Sequence, residues 1–238
     1  GLDLLLAENE DIARTTGSAN VAALERNDGY LSDMRRRAVT PRHVAQAIAE
    51  ARASHGAAFA RGAVGAGRGM SCYGLKGGIG TASRRVSLGD GKPSFTLGAL
   101  LLTNFGRMEE LVVGGRRVGE ELRSLGDGEL AARALDGSGV GKPGAGSVIV
   151  ILATDAPLDA RQLRRLCMRA ASGLARTGAT IGGGSGEIAL AFSTASRVPH
   201  YAESPLVALT TLHEDGLDPL FDAVTEAVEE AVIDSLFC

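Results

Sequence analysis

The residues best placed to do chemistry lie at the junction Gly146-Ser147, where a glycine-rich stretch from Asp136 to Gly146 meets the apolar run Val148-Ile149-Val150-Ile151-Leu152-Ala153. If the peptide bond before Ser147 is cut, one residue carries both a hydroxyl nucleophile and a free α-amine. Such an amine has a reference pKa of about 7.7–8.0 and can accept the hydroxyl proton, which an internal amide cannot usefully do. Serine is then activated without an imidazole. Glycine ahead of it keeps the scissile carbonyl accessible and permits a strained conformation. Taken alone, the pair reads more simply as the boundary between a loop and a strand.

Competing chemistries find less support. His43, His55, His200 and His213 form no HExxH or other local ligand pattern, and their placement weakens a Ser-His-Asp arrangement. Cys72, Cys167 and Cys238 are far apart and lack CxxC spacing, so neither a disulfide framework nor a thiolate zinc site is indicated. Each reads as an ordinary packed thiol. Gly65-Ala66-Gly67-Arg68-Gly69 lacks the GxGxxG spacing, and Lys76 and Lys142 stand in the wrong positions for a phosphate loop. No metal and no organic cofactor is expected. Lys plus Arg number 25 against 28 Asp plus Glu, a net charge of −3, which gives no strong attraction for nucleic acid or anionic lipid. No apolar run is long enough to cross a membrane.

The 238 residues, 45% hydrophobic and 22% charged, suffice for one substantial core. The expectation is a single catalytic domain over 1–238, incomplete at both ends, because Gly1 opens directly into a leucine-rich stretch and Cys238 ends inside an amphipathic pattern. A cytoplasmic location is expected, with periplasm or secretion left open by the missing N-terminus.

Several elements must position Ser147. The first stretch, through about Arg26, has helical character, and Asn27-Asp28-Gly29-Tyr30-Leu31 is a turn signal. Thr40-Pro41 opens a helix whose Val44, Ala47, Ile48 and Ala51 face one way, as on a helix covering a sheet. Eight glycines between Gly62 and Gly80 mark sharp turns or close approaches. Strands are expected at Arg84–Leu88, Leu97–Thr103, Leu111–Val113, Val148–Ala153 and Ile188–Ser193. Helices are expected at Glu120–Leu135, Leu158–Arg176 and Leu217–Phe237. The arginines of the helix from Leu158, namely Arg161, Arg164, Arg165 and Arg169, read as a solvated face in preference to an anion patch. Alternating buried strands and helices point to a layered α/β architecture.

Longer signatures reinforce the Ser147 reading. The stretch Gly146-Ser147-Val148-Ile149-Val150-Ile151-Leu152-Ala153-Thr154-Asp155-Ala156-Pro157-Leu158 resembles the start of the catalytic β-subunit in peptidase family S58. This is the family of L-aminopeptidase/D-esterase enzymes and β-peptidyl aminopeptidases. The likeness continues through Leu174–Gly178 and Gly184-Ser185-Gly186-Glu187-Ile188. Upstream, the segments Gly69–Arg84, Asn27–Asp33 and Asn104-Phe105-Gly106 add further signatures in the same order. The first 25 residues carry no such match. Asparagines that are frequent in the family before the two serines are replaced here by Gly-Ala-Gly and Gly182-Gly183-Gly184.

The resemblance implies a self-processing N-terminal nucleophile hydrolase with a four-layer α-β-β-α sandwich fold. The precursor would cut itself at Gly146–Ser147 into an α-chain, 1–146, and a β-chain, 147–238, which stay associated and commonly form a homotetramer. Ser147 would then hydrolyse small peptides, amides or esters that carry a free amine. Ser185 and Glu187, two apart and so on one face of an extended segment, would position the nucleophile and bind the substrate ammonium. Asn104 would donate a hydrogen bond to the tetrahedral oxyanion. Tyr30 is a further candidate for site contact, and Cys72 is a packed or site-lining residue, not the nucleophile. Acyl transfer to an amine and a non-catalytic binding or assembly role stand as alternatives.

Overall fold

Apolar residues on both faces of the run after Ser147 require cover on both sides, and this strand lies inside a sheet. The computed structural model describes residues 1–54, 56–125, 145–201 and 204–238, with Ala145 described by its backbone alone. The chain divides into two compact units, Gly1–Ala60 and Arg61–Cys238.

The first unit holds helices α1 (Leu2–Glu8) and α2 (Pro41–Ser54). Between them the helical character expected through Arg26 gives way to turns and irregular chain after Glu8. The Asn27 side chain accepts a hydrogen bond from the Gly29 N–H at 2.9 Å, which is how the expected turn before Tyr30 is made. Arg52 on α2 grips the Glu8 carboxylate through both terminal nitrogens at 2.7 Å. None of the apolar residues along α2 is buried, and within its own unit the helix covers no sheet. An apolar stripe at helical spacing shows amphipathicity without naming what it meets.

The second unit is built on a four-stranded sheet in the order β3-β4-β5-β6: β3 (Ile79–Ser87), β4 (Ser94–Asn104), β5 (Ala145–Thr154) and β6 (Gly184–Ser193). It is preceded by a small hairpin of β1 (Ser71–Cys72) and β2 (Leu75–Lys76), and a short helix α3 (Val118–Leu125) follows β4. The pairs β3/β4 and β4/β5 are antiparallel, while β5 and β6 are parallel and joined through α4 (Ala160–Arg176). Helix α5 (Asp218–Phe237) closes the unit.

Alternation divides the sheet into two faces. Val148, Val150 and Leu152 of β5 and Leu97, Ala99 and Leu101 of β4 are buried with Leu166, Ala170 and Leu174 of α4 and Leu220, Val224, Val228 and Val232 of α5. Gly173 permits the contact between the helices, since a Cβ there would stand 2.6 Å from the Thr225 carbonyl oxygen on α5. The other face carries a smaller cluster of Met70, Leu102 and Ile149, beyond which Ile188, Leu190 and Phe192 of β6 are exposed. The second unit therefore supplies one helix layer and one sheet layer of the mixed α/β architecture.

Three sequence readings shift. The first large strand begins at Ile79, not Arg84, because its glycine and small polar residues hide a strand pattern. Leu111–Val113 forms no ladder: Leu111 is buried in the core and the Val112 N–H bonds the Thr177 carbonyl at 2.9 Å, leaving only a bridge from Val113 to Arg116. Of the helix expected over Glu120–Leu135, α3 accounts for the part through Leu125, and the remainder lies outside the described residues.

Helix α4 starts at a capping box in which Asp159 accepts from the Gln162 N–H at 2.7 Å and the Gln162 side chain accepts from the Asp159 N–H at 3.2 Å. Arg161, Arg165 and Arg169 are engaged by the protein. Arg161 and Arg165 both pair with Glu214, and the guanidinium carbons of Arg165 and Arg169 lie 4.9 and 4.2 Å from the centre of the Phe221 ring.

Candidate active site

Ser147 is the third residue of β5, in the middle of the sheet. Its Cα is paired with Asn104, the last residue of β4, on one side and with Gly186 of β6 on the other. The structure thus brings Asn104 beside the serine across one strand spacing, about 4.8 Å. Asn104 is oriented from below by the glycine-rich signature. The Ser71 N–H donates to its Oδ1 at 3.0 Å, which makes the NH2 the donating end of the amide.

That buttress is itself tied down. The β1–β2 turn is Tyr73-Gly74 with φ of 53° and 72°, the left-handed pair that a tight two-residue hairpin requires. Tyr73 occupies this unfavourable region because it is anchored on three sides. Its N–H donates to the Phe105 carbonyl at 2.7 Å, its hydroxyl lies 2.7 Å from Thr177 Oγ1, and its ring meets Phe105 edge-on at 5.3 Å. The Lys76 ammonium donates to the carbonyls of Gly67, Met70 and Gly77 at 2.6–2.8 Å, so it fastens the glycine loop instead of awaiting a phosphate. Burial pushes the Cys72 thiol up to about 12, so it remains protonated and inert at neutral pH.

Phe105 carries the anchoring to the scissile junction. A Cβ on Gly146 would lie 2.9 Å from Phe105 Cβ and 3.1 Å from its Cα. Gly146 is absent from the positive-φ glycines, so its role is close approach, which corrects the reading of a strained conformation.

The β5–β6 register sets the remaining candidates. Ser185 is paired with Gly146 and Glu187 with Val148, one residue to either side of Gly186. Ser185 and Glu187 therefore share the helix-side face with Val148, while in the intact chain the Ser147 side chain belongs to the opposite face with Ile149. On the helix side a cavity of about 250 Å³ is lined by Ser185, Glu187, Val148, Leu174, Ala179 and Ile181, together with Phe105, Arg107 and Glu110. Burial raises the Glu110 pKa, but its hydrogen bonds from Arg107 outweigh this and hold the carboxyl below its ordinary range. Tyr30 belongs to the first unit, in an exposed turn. Among the described residues, no cluster of three or more His, Cys, Asp or Glu side chains could hold a metal ion.

Sequence reasoning missed Ser71, Tyr73, Phe105 and Thr177 as supports. Their signal lay inside the quoted signatures, but the contacts join segments up to 104 residues apart.

Comparison with known proteins now gives this geometry a context. Residues 2–238 match Peptidase family S58. The chain is 43% identical over 215 residues to the beta-peptidyl aminopeptidase BapA of Sphingosinicella microcystinivorans, covering 89% of this chain and 53% of that protein. It is 38% identical over 211 residues to BapA of Sphingosinicella xenopeptidilytica, covering 88% and 51%. Among solved structures, the PH0078 protein of Pyrococcus horikoshii OT3 superposes with a TM-score of 0.84 at 48% identity, covering 99% of this chain and 60% of that one. The l-aminopeptidase d-ala-esterase/amidase of Ochrobactrum anthropi, described as a prototype for the serine aminopeptidases and a new variant of the Ntn hydrolase fold, gives 0.77 at 33% identity, covering 98% and 60%. The chain spans about half the length of the curated relatives and about three-fifths of these solved chains. The mixed α/β fold is that of the N-terminal nucleophile hydrolases, and the chain belongs to peptidase family S58.

Proposed function

We propose that the whole protein cuts its own Gly146–Ser147 bond and then works as a serine aminopeptidase or amidase, releasing N-terminal residues from small peptides, amides or esters. The observation that carries this is Ser147 at the head of a central strand, paired with an asparagine whose carbonyl oxygen is already pinned, in a chain of this family. In the first step Ser147 Oγ attacks the Gly146 carbonyl carbon. The C–N bond breaks, the hydroxyl proton passes to the leaving amine, and an ester joins Gly146 to Oγ. Water then hydrolyses the ester and frees the α-chain carboxylate and the Ser147 hydroxyl.

The new α-amine is the base for turnover. Ser147 is now held only through its own carbonyl. Rotation about its Cα–C bond lets the side chain occupy the place of the departed chain, from which Oγ reaches the side of Ser185 and Glu187. The hydroxyl attacks the substrate carbonyl, the amine takes its proton and gives it to the leaving group, and water resolves the acyl-enzyme. Asn104 donates to the oxyanion, Glu187 receives the substrate ammonium and Ser185 positions the hydroxyl. Tyr30 is a further site contact in this reading. The α- and β-chains remain together, and a homotetramer is the expected assembly.

Intact mass and N-terminal sequencing of the freshly purified full-length protein test the proposal. A fragment beginning Ser147-Val148-Ile149, absent from Ser147→Ala, is expected, together with hydrolysis of aminoacyl amides by the wild type alone. Turnover at the normal rate by Ser147→Ala would refute the mechanism.

A further inference from the structure

The cavity on the helix side of the β5–β6 heads has, beside Ser185 and Glu187, walls that the reaction above leaves unassigned. At about 250 Å³ it is smaller than the roughly 300–1,000 Å³ pockets that take drug-sized ligands, and holds about eight waters' share of volume at roughly 30 Å³ each. One amino-acid residue fits that scale. Val148 and Leu174 are buried apolar residues of its wall, and Ala179 and Ile181, from the loop before β6, add further apolar surface. The two carboxylates that line it differ. Glu110 is neutralised by Arg107, which donates to it from the backbone N–H and from Nε at 3.0 Å, whereas Glu187 pairs with none of the described residues. A partly apolar wall on which Arg107 and Glu110 offset each other and Glu187 pairs with none of the described residues suits a small aliphatic cation.

We infer that this cavity is the acyl-side pocket, which takes the first residue of the substrate with its aliphatic side chain against Leu174, Ala179 and Ile181 and its ammonium on Glu187. Ala179 and Ile181 are its specificity-determining residues. The assignment rests on the Ser147 reading for its catalytic meaning, but binding in the cavity is independent of it. Ala179 sits where a larger side chain would fill the volume, and exposed Ile181 can be shortened without opening the core.

Two measurements on the full-length protein test the pocket. In the first, kcat/KM is compared for glycyl, alanyl, valyl and leucyl amides. Ala179→Leu is expected to lower the leucyl-over-glycyl ratio about tenfold or more, the order of discrimination that a methylene group commands in an apolar pocket. Ile181→Ala is expected to shift preference toward bulkier side chains, and both variants are to release the Ser147 N-terminus. In the second, isoamylamine is titrated into Ser147→Ala, with binding expected to be lost on adding Ala179→Leu and weakened on adding Glu187→Gln. A processed, folded Ala179→Leu enzyme with unchanged substrate ratios overturns the pocket while leaving the Ser147 mechanism standing. Amine binding that depends on Ala179, with a Ser147 wild type that never releases the Ser147 N-terminus, sustains the pocket and overturns the Ser147 reading. Absence of amine binding to Ser147→Ala, or binding indifferent to Ala179→Leu, also overturns the pocket.

Discussion

Replacing Gly146 by alanine probes the packing that holds the scissile junction. The new Cβ would stand 2.9 Å from Phe105 Cβ and 3.1 Å from Phe105 Cα, atoms at the root of a side chain that cannot swing away. Phe105 is itself held by Tyr73, through the backbone hydrogen bond of 2.7 Å and the ring contact at 5.3 Å. The added carbon must therefore displace the strand head or the loop after β4. Overpacking of this kind costs about 1–3 kcal/mol. Against it stands the roughly 0.5–1 kcal/mol by which alanine surpasses glycine within a regular element. The net expectation is a loss of about 0–2.5 kcal/mol, centred a little above 1. The sign is clearest in the Ser147→Ala background, where no cleavage complicates unfolding. Urea titration of the full-length protein with and without Gly146→Ala gives the difference directly, and Gly146→Val is expected to lose more. In the Ser147 wild-type background the displaced carbonyl is expected to mature more slowly by intact mass. If Gly146→Ala is as stable as its parent and matures at the same rate, then contact with Phe105 does not fix the junction.

Two further outcomes follow from named contacts. Asn104→Asp keeps the oxygen that accepts from the Ser71 N–H but loses the amide donor, so the variant is expected to fold normally and lose about 10²–10³ in kcat, the scale of a missing oxyanion donor; wild-type kcat in the folded variant would remove Asn104 from the mechanism. Glu214 is held down to about 2, first by its hydrogen bond from Arg161 and then by that from Gln162, against an ordinary value of 4.5. Because the folded value is the lower one, the stabilisation is present above about pH 4.5 and is lost as pH falls toward 2. Glu214→Gln is expected to flatten that part of the acid-unfolding profile, and an unchanged profile would show that the exposed pair contributes nothing.

What could be read in the sequence was whatever repeats along the chain. The β-branched run from Val148, the apolar spacing of Leu166, Ala170 and Leu174, and the stripe from Leu220 to Val232 each state their element and their buried face, and the structure agrees. Long-range geometry was not legible. Ser185 and Glu187 can be assigned to one face from their spacing alone, but which face depends on whether Ser147 pairs with Ser185 or Gly186, and a one-residue slip exchanges the answer. The left-handed Tyr73 was equally hidden, because a tyrosine at φ 53° is stable only through Phe105 and Thr177. Ile79–Ser87 was shortened in the sequence reading for a related reason: Gly80 faces the Ala231 carbonyl of α5, so the position demands the absence of a side chain, and a strand pattern is lost with it.

The position of the proposed cut also explains how a chain can be divided at its active residue and keep its shape. A break at Gly146–Ser147 falls inside β5, after its first two residues, so the two chains would share one sheet: β3, β4 and Ala145-Gly146 of β5 from the first, the rest of β5 and β6 from the second. From Val148 to Thr154 the strand remains paired with β4 on one side and β6 on the other. Val148, Val150 and Leu152 are each about 1% exposed, and side chains buried to that degree contribute roughly 1.5–3 kcal/mol apiece. Helix α5, in the second chain, also lies on the strands of the first: the Asp234 carboxylate accepts from the Thr81 N–H at 2.9 Å, and Ser235 Oγ lies 2.8 Å from Thr103 Oγ1. Against these contacts the loss of one covalent bond near the strand's start is local. The core fixes β5 from Val148 to Thr154, so on the β-chain side the freedom gained on cleavage falls to Ser147, the residue whose amine and hydroxyl must reorient for turnover.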